Sequence, residues 1–419
     1  MDEPLEHGMT PSQTELLRLL SRQLFRASVP SVENPDWEQV LREAEENTVY
    51  AEAFTAAESE LPPELAASGM QRFYQVISGH VKVSYAHRQA HEAMTAAGIP
   101  YTVLKGCSSA SYYPAAGLRA MGDVDLYVHR EDLERAETAL LKAGYRVCNK
   151  DHSNHWVYAK DGIELELHWN VTGVPTEGSE PILRLLDDLI ETSSERDFEG
   201  NVMVLPDVFH HGLVILLHVA SHLTADGVGL RHLTDWLVFE QGMSEAEFRE
   251  RFEPALRNVG LWEFAKVLSA IGAAFFGCEK REYFSDVSPE LTEAMLRDIL
   301  AGGNFGEKDL DRLNQSKLLR DNESRRVGRG HNFTNAIRFL NQRARERVPA
   351  SRKLPILLPI GWAAVYRRHK NAVRTGLQAP VHLRRTLDSA RERQSIYEQL
   401  RLFEPSPEQP EKSSEHQAK

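Results

Sequence analysis

The stretch Gly122-Asp123-Val124-Asp125-Leu126-Tyr127-Val128 decides how the chain is read. It reads as a β-strand, in which residues two apart share a face. Asp123 and Asp125 therefore project side by side, while Val124, Leu126 and Val128 cover the other face. Adjacent like charges repel and need a counter-charge. A divalent cation that favours hard oxygen ligands, Mg²⁺ or Mn²⁺, meets that need. A second alternating stretch, Ile163-Glu164-Leu165-Glu166-Leu167-His168-Trp169, brings a further acid. Glu164, Glu166 and His168 share one face of that strand, and Ile163, Leu165, Leu167 and Trp169 share the other.

Working outward, Pro100 to Leu104 reads as an earlier strand, and Gly106 opens a short helix through Tyr113. A glycine there lets the backbone approach a phosphate, and the helix behind it offers free N–H groups. A side chain at Gly106 would occupy that space. Residues 131–143 form an amphipathic helix stopped by Gly144. Tyr145 to Cys148 and His155 to Ala159 read as strands, with Asp161-Gly162 as the hairpin turn before Ile163. Val202 to Leu205 adds one more. Leucine spacing predicts a helix over 12–26, residues 37–57 and 70–97 also read as helices, and helices resume from Asp207 to about Arg345. The expected fold class is α+β, a small mixed-sheet core flanked by N-terminal and C-terminal helical regions. The expected divisions are an N-terminal helical region over 1–94, a core over 95–205, helices over 206–345, a basic helical extension over 346–402 and a disordered tail over 403–419. Residues 1–10 are also polar and read as disordered.

The runs Val103-Leu104-Lys105-Gly106, Tyr113-Pro114 and Gly117-Leu118-Arg119-Ala120-Met121-Gly122-Asp123-Val124-Asp125 resemble the bacterial uncharacterised nucleotidyltransferase family, within the DNA polymerase β-like superfamily. That family's pattern is roughly L-K-G, then R-x-x-G-D-[IV]-D, then [ED]-L-H-W, and the likeness is close over 95–170. The resemblance implies transfer of a nucleoside monophosphate from an NTP to an acceptor. Asp123, Asp125 and Glu166 would be the catalytic and metal-ligating acids, with Mg²⁺ or Mn²⁺ as cofactor and Glu164 as the alternative third carboxylate. Lys105, Gly106, Ser108, Ser109, Arg119 and His168 would bind the nucleotide. The superfamily usually has a second Gly or Ser after the glycine, and Cys107 stands there instead.

Several of these residues have a second reading. Arg119 either neutralises phosphates or forms a salt bridge that fixes the loop carrying Asp123. His168 either meets the substrate or metal, or makes a structural hydrogen bond. His218 and His222 have the i, i+4 spacing of many zinc ligands but lack the Glu of the metalloprotease motif. Arg231 and Asp235, which match an Arg…Asp helix that recurs in the related family after a histidine-bearing one, either pair along a helix or line the nucleotide cleft.

At 419 residues the chain can bury a sizeable core. Its three cysteines show no disulfide or metal spacing, and no secretory leader pattern opens the chain, so a cytoplasmic home is expected. The net charge of −12 is uneven. Residues 312–393 hold 20 Lys and Arg against 5 Asp and Glu, a balance of +15, which leaves −27 for the rest. Such a block either forms solvated or docked helix faces or meets anionic lipid or nucleic acid. No separate nucleic-acid-binding motif accompanies it, so no stable nucleic-acid binding and at most weak membrane-surface association are expected. The acceptor is open, with a small molecule favoured over a protein or RNA. The alternatives are a nucleotide-sensing or toxin-like module with little transferase activity, and a surface-associated transferase.

Overall fold

The structure is a computed structural model that describes residues 8–306 except 176 and 226, together with 308, 341, 344–345, 348–352, 354–374 and 383–405. Five strands make one mixed sheet: β1 Tyr101–Val103, β2 Asp123–Val128, β3 Arg146–Asn149, β4 His155–Lys160 and β5 Ile163–His168. Their order is β1-β2-β5-β4-β3. β2 and β5 are parallel, and the other pairs are antiparallel. The parallel register sets Asp123 against Glu164 and Asp125 against Glu166. Asp161 and Gly162, both at positive φ, turn β4 into β5 as expected of a tight hairpin.

The helices are α1 Pro11–Phe25, α2 Trp37–Glu46, α3 Tyr50–Ala57, α4 Pro63–Ala96, α5 Cys107–Ala110, α6 Leu133–Lys142 and α7 Glu180–Leu185. After a separate hairpin of β6 Ser194–Phe198 and β7 Asn201–Leu205 come α8 Val208–Thr224, α9 Leu230–Glu240, α10 Glu245–Val259, α11 Trp262–Phe275 and α12 Pro289–Gly302. α13 Leu358–Arg374 and α14 Leu383–Leu400 follow. Among the described residues no helix is long and apolar enough to cross a membrane.

The apolar face of the sheet carries Val124, Leu126, Leu165 and Leu167. It packs on Val83, Ala90 and Met94 of α4 and on Leu133, Ala136 and Leu140 of α6. Removing each such side chain from water contributes roughly 1.5–3 kcal/mol, so the opposite, acid-bearing face is the one left for a site. A second core joins Leu16, Leu19 and Leu20 of α1 to Leu213, Leu217, Trp236, Phe239, Phe252, Trp262 and Leu268 of α8 to α11.

Several expectations need correction. The helix over 37–57 is broken at Thr48, whose φ is 58°. The helix predicted from 70 begins at Pro63, a residue suited to a first helical turn. The helix after Gly106 is one turn, and it ends before Tyr113. The strand expected over Val202 to Leu205 is present as β7, and it pairs with β6 outside the main sheet. β6 has four exposed residues of five and no apolar alternation to announce it. The tail is not wholly loose at its start: Phe403 is buried, and its amide donates to the Gly260 carbonyl at 2.8 Å. Residues 1–7, 406–419 and much of the basic block over 312–393 lie outside the described residues.

Candidate active site

β2 and β5 aim their acids into a cavity of about 270 Å³ roofed by α8 and α9. One carboxylate oxygen from each of Asp123, Asp125 and Glu166 lies within 4.8 Å of the others. Glu166 is thus the third acid of the group. Glu164 is exposed and is absent from both the group and the cavity lining.

The cations and histidines around the acids have separate parts. Lys105, at the end of β1, places Nζ 3.2 Å from Asp125 Oδ1. Burial alone would lower the Lys105 pKa, but Asp125, Asp123 and Glu166 together raise it, so the ammonium stays charged. His168 is fully buried, and its Nε2–H donates to Asp125 Oδ1 at 3.1 Å and to Glu166 Oε2 at 3.0 Å. It ties the two strands' acids together and does not line the cavity. His155 Nε2 lies 3.5 Å from the other Glu166 oxygen. Burial would raise Asp125, yet Lys105 and the His168 hydrogen bond hold it well below the usual carboxylate range. Asp123 is shifted the other way, first by the Asp125 charge and then by burial.

Arg119 takes the salt-bridge role. Its Nε and Nη2 reach Asp235 Oδ1 and Oδ2 at 2.6 and 2.7 Å, and Tyr113 donates to the same carboxylate at 2.8 Å. Nη1 donates to the Gly106 carbonyl at 3.3 Å. The pair is buried and clamps the loop before β2 onto α9, leaving Arg119 at the cavity's edge. Asp235 is therefore not paired with Arg231 along the helix. The Ser108 hydroxyl bonds His211 Nδ1 at 2.9 Å and does not line the cavity, whereas Ser109 does. Cys107 is buried in the sheet core, its Sγ 3.9 Å from Met121 Sδ. Gly106 has φ 62°, a conformation that favours glycine. A Cβ there would lie 3.1 Å from His87 Nε2, so it would point at α4 rather than into the phosphate space expected from the sequence.

The far wall was only partly legible. His218, His222 and Arg231 stand out by spacing, and all three line the cavity, joined by His232 and Phe305. Nothing in the local pattern marks His232, which is brought in by the fold of α9 against α8. Asn47, at the break between α2 and α3, accepts the Leu230 amide on its side chain and the Arg231 amide on its carbonyl, both at 3.3 Å. It caps the helix that carries Arg231, a role that no sequence spacing indicates.

The acids and Lys105 thus present a cluster suited to divalent cations beside a cation suited to phosphate. A family model described as "Uncharacterised nucleotidyltransferase" matches residues 33–277, more than half of the chain. No curated protein matches the chain. Among solved structures, an antigenic nucleotidyltransferase-like protein from Paracoccidioides brasiliensis is 17% identical, over 48% of this chain and 94% of that one. Its TM-score of 0.30 is too low to carry any inference.

Proposed function

The chain belongs to the uncharacterised nucleotidyltransferase family, and from that premise we propose that it moves a nucleoside monophosphate from an NTP to an acceptor hydroxyl or phosphate. The observation that carries this is the convergence of Asp123, Asp125 and Glu166 from two parallel strands onto one cavity. The family's placement in the DNA polymerase β-like superfamily belongs to the same proposal.

The three acids fit Mg²⁺ or Mn²⁺. They are hard oxygen donors within 4.8 Å of one another, and the charge of Asp125 raises the Asp123 pKa, the mark of crowding that a cation relieves. When bound, such ions would neutralise the charge that builds on the entering and leaving oxygens. In the transfer, the acceptor oxygen forms a bond to the α-phosphorus, loses its proton, and the bond to pyrophosphate breaks. Asp123, Asp125 and Glu166 would hold the cations. Glu166, kept ionised by the His168 hydrogen bond against the effect of burial, is also placed to accept the acceptor's proton. Lys105 faces the polyanion and stays protonated. His168 positions Asp125 and Glu166 relative to each other. Gly106 and Ser109 line the same cavity beside Lys105.

A small-molecule acceptor is favoured, because no separate nucleic-acid-binding motif accompanies the site. A cytoplasmic setting, no stable nucleic-acid partner and at most weak surface association through 312–393 remain part of the proposal. The test is to incubate the purified protein with α-labelled NTPs, Mg²⁺ and cell extract, and to identify the labelled product. A labelled small molecule supports the proposal. Label on RNA or protein would move the acceptor class, and no label with any NTP would overturn the activity.

A further inference from the structure

The wall facing the acids is built from α8 and α9, and its polar side chains are nitrogen bases and cations apart from Asp235, whose carboxylate is taken up by Arg119 and Tyr113. His218, His222, Arg231 and His232 line it, with Phe305 against them. Ring centroids of His218 and His222 lie 4.4 Å apart, and His232 is 5.3 and 5.2 Å from them. The Arg231 guanidinium lies 5.8 Å from the Phe305 ring, which also packs on His222 and His232.

Three imidazoles with ligand atoms within 4.8 Å of one another match the donor count of a three-histidine zinc centre. Two observations weigh against a metal. The Gly229 amide donates to His232 Nδ1 at 3.3 Å, so in the neutral ring the proton sits on Nε2, which is then a donor and not a ligand. The wall is also already positive. Burial first, then Lys105 and His222, hold His218 well below its ordinary range. Burial, then Arg231, does the same to His232. A dication placed there would meet the charges of Lys105 and Arg231, the Arg119 charge being offset by Asp235.

The donors themselves indicate the ligand. Arg231 Nε and His232 Nε2 are buried and have no hydrogen-bond partner, and the same holds for His218 Nδ1. Among the described residues no carboxylate pairs with Arg231. Its one hydrogen bond there runs from Nη1 to the Ala120 carbonyl at 3.4 Å. A buried donor left unsatisfied costs about 1–3 kcal/mol, more when charged. An anion relieves both the donors and the charge.

We propose that Arg231, His232 and His218 form an anion cradle that takes the β- and γ-phosphates of the NTP, across the cavity from the acids. The identity of the anion rests on the nucleotidyl-transfer proposal, but the cradle itself does not. Arg231 and Lys105 would then hold the leaving pyrophosphate from two sides, with Arg231 as the fork and Lys105 as the point charge. His232 adds a neutral N–H donor, and His218 a ring nitrogen that can carry one, without adding repulsion between cations.

The test is calorimetry of the full chain with inorganic tripolyphosphate in EDTA, so that no divalent ion takes part. Wild type is expected to bind. Arg231→Gln should weaken binding about tenfold or more, the loss of a charged hydrogen bond, and Arg231→Lys should recover part of it. His232→Ala should weaken binding several-fold, and Asp123→Asn should bind at least as tightly as wild type. Thermal unfolding of each variant separates this from misfolding. If Arg231→Gln does not fold, Arg231→Lys and His232→Ala decide. Wild-type affinity in folded Arg231 and His232 variants would overturn the cradle. So would stoichiometric Co²⁺ binding with an imidazole-ligand spectrum that His232→Ala abolishes. If tripolyphosphate binds through Arg231 but no NTP is ever consumed, the transfer proposal falls and the cradle stands.

Discussion

Asp123 and Asp125 share a strand face but not an environment. Asp125 is nearly inaccessible and held by Lys105 and His168, whereas Asp123 has Asp125 as its main electrostatic neighbour. Either Asn substitution should drop transfer below about a tenth of wild type, since each removes a charge on which cation binding depends. Their effects on stability should diverge. Asp123→Asn relieves repulsion and should hold or raise the melting temperature in EDTA. Asp125→Asn removes the buried charge against which both Lys105 and His168 are held, and should cost about 1–3 kcal/mol. Equal shifts in thermal unfolding would contradict the asymmetry. Glu166→Gln should likewise reduce transfer far more than Glu164→Gln, because only Glu166 reaches the acid cluster; a reversed ranking in steady-state rates would move the site two residues. Glu52 is a different case, buried on α3 close to Arg119, Asp235 and Arg231. Burial pushes its carboxyl up to about 8. Below about pH 4 folded and unfolded chains both hold the proton. From there toward pH 8 only the unfolded chain releases it, so stability falls by at most about 1.4 kcal/mol per unit. Glu52→Gln should flatten that decline and be more stable than wild type at pH 8, as denaturant melts at pH 5 and 8 can show. The acid pairs were legible because strand periodicity places them without tertiary knowledge. Glu52 was not, since its burial depends on α3 docking against residues far along the chain.

Single elements show the same division. β2, β4 and β5 follow from alternation alone, and the Asp161-Gly162 turn fixes how two of them pair. The parallel pairing of β2 with β5 is what brings Glu166 beside Asp125, and no local pattern specifies it. α9 depends on a distant segment for its start. Gly229 has no side chain with which to cap it, and Asn47 receives the Leu230 and Arg231 amides instead. The break at Asn47-Thr48, within a stretch that the sequence alone reads as continuous helix, is therefore a docking device for α9. Asn47→Ala should cost about 1 kcal/mol, the usual loss for a helix cap. It should also raise KM for NTP more than it lowers kcat, because α9 carries Arg231 and His232 but none of the acids. A variant with wild-type stability and KM would show that α9 is positioned without Asn47.

At the scale of the whole molecule, two cores meet at one cavity. The sheet with α4 and α6 supplies the acids, and the helical core supplies the roof. The Arg119–Asp235 pair joins them, running from the loop before β2 to α9. That clasp explains why an arginine so close to the acids is not left free for phosphate, a choice that sequence alone could not make because Asp235 lies 116 residues away. The roof, with its nitrogen donors, faces the sheet, with its oxygen donors, and on the proposals above this opposition would sort cations to one wall and phosphates to the other. The central claim is that the acids serve transfer of the α-phosphoryl group with its nucleoside. It is tested most directly by giving wild type and Asp123→Asn the same NTP, labelled at the α- or the γ-phosphate in parallel, with Mg²⁺ and the acceptor-containing extract. The expected result is α-label in the product and γ-label in released pyrophosphate for wild type, and neither for Asp123→Asn. Transfer of γ-label to the product, or undiminished transfer by Asp123→Asn, would contradict it.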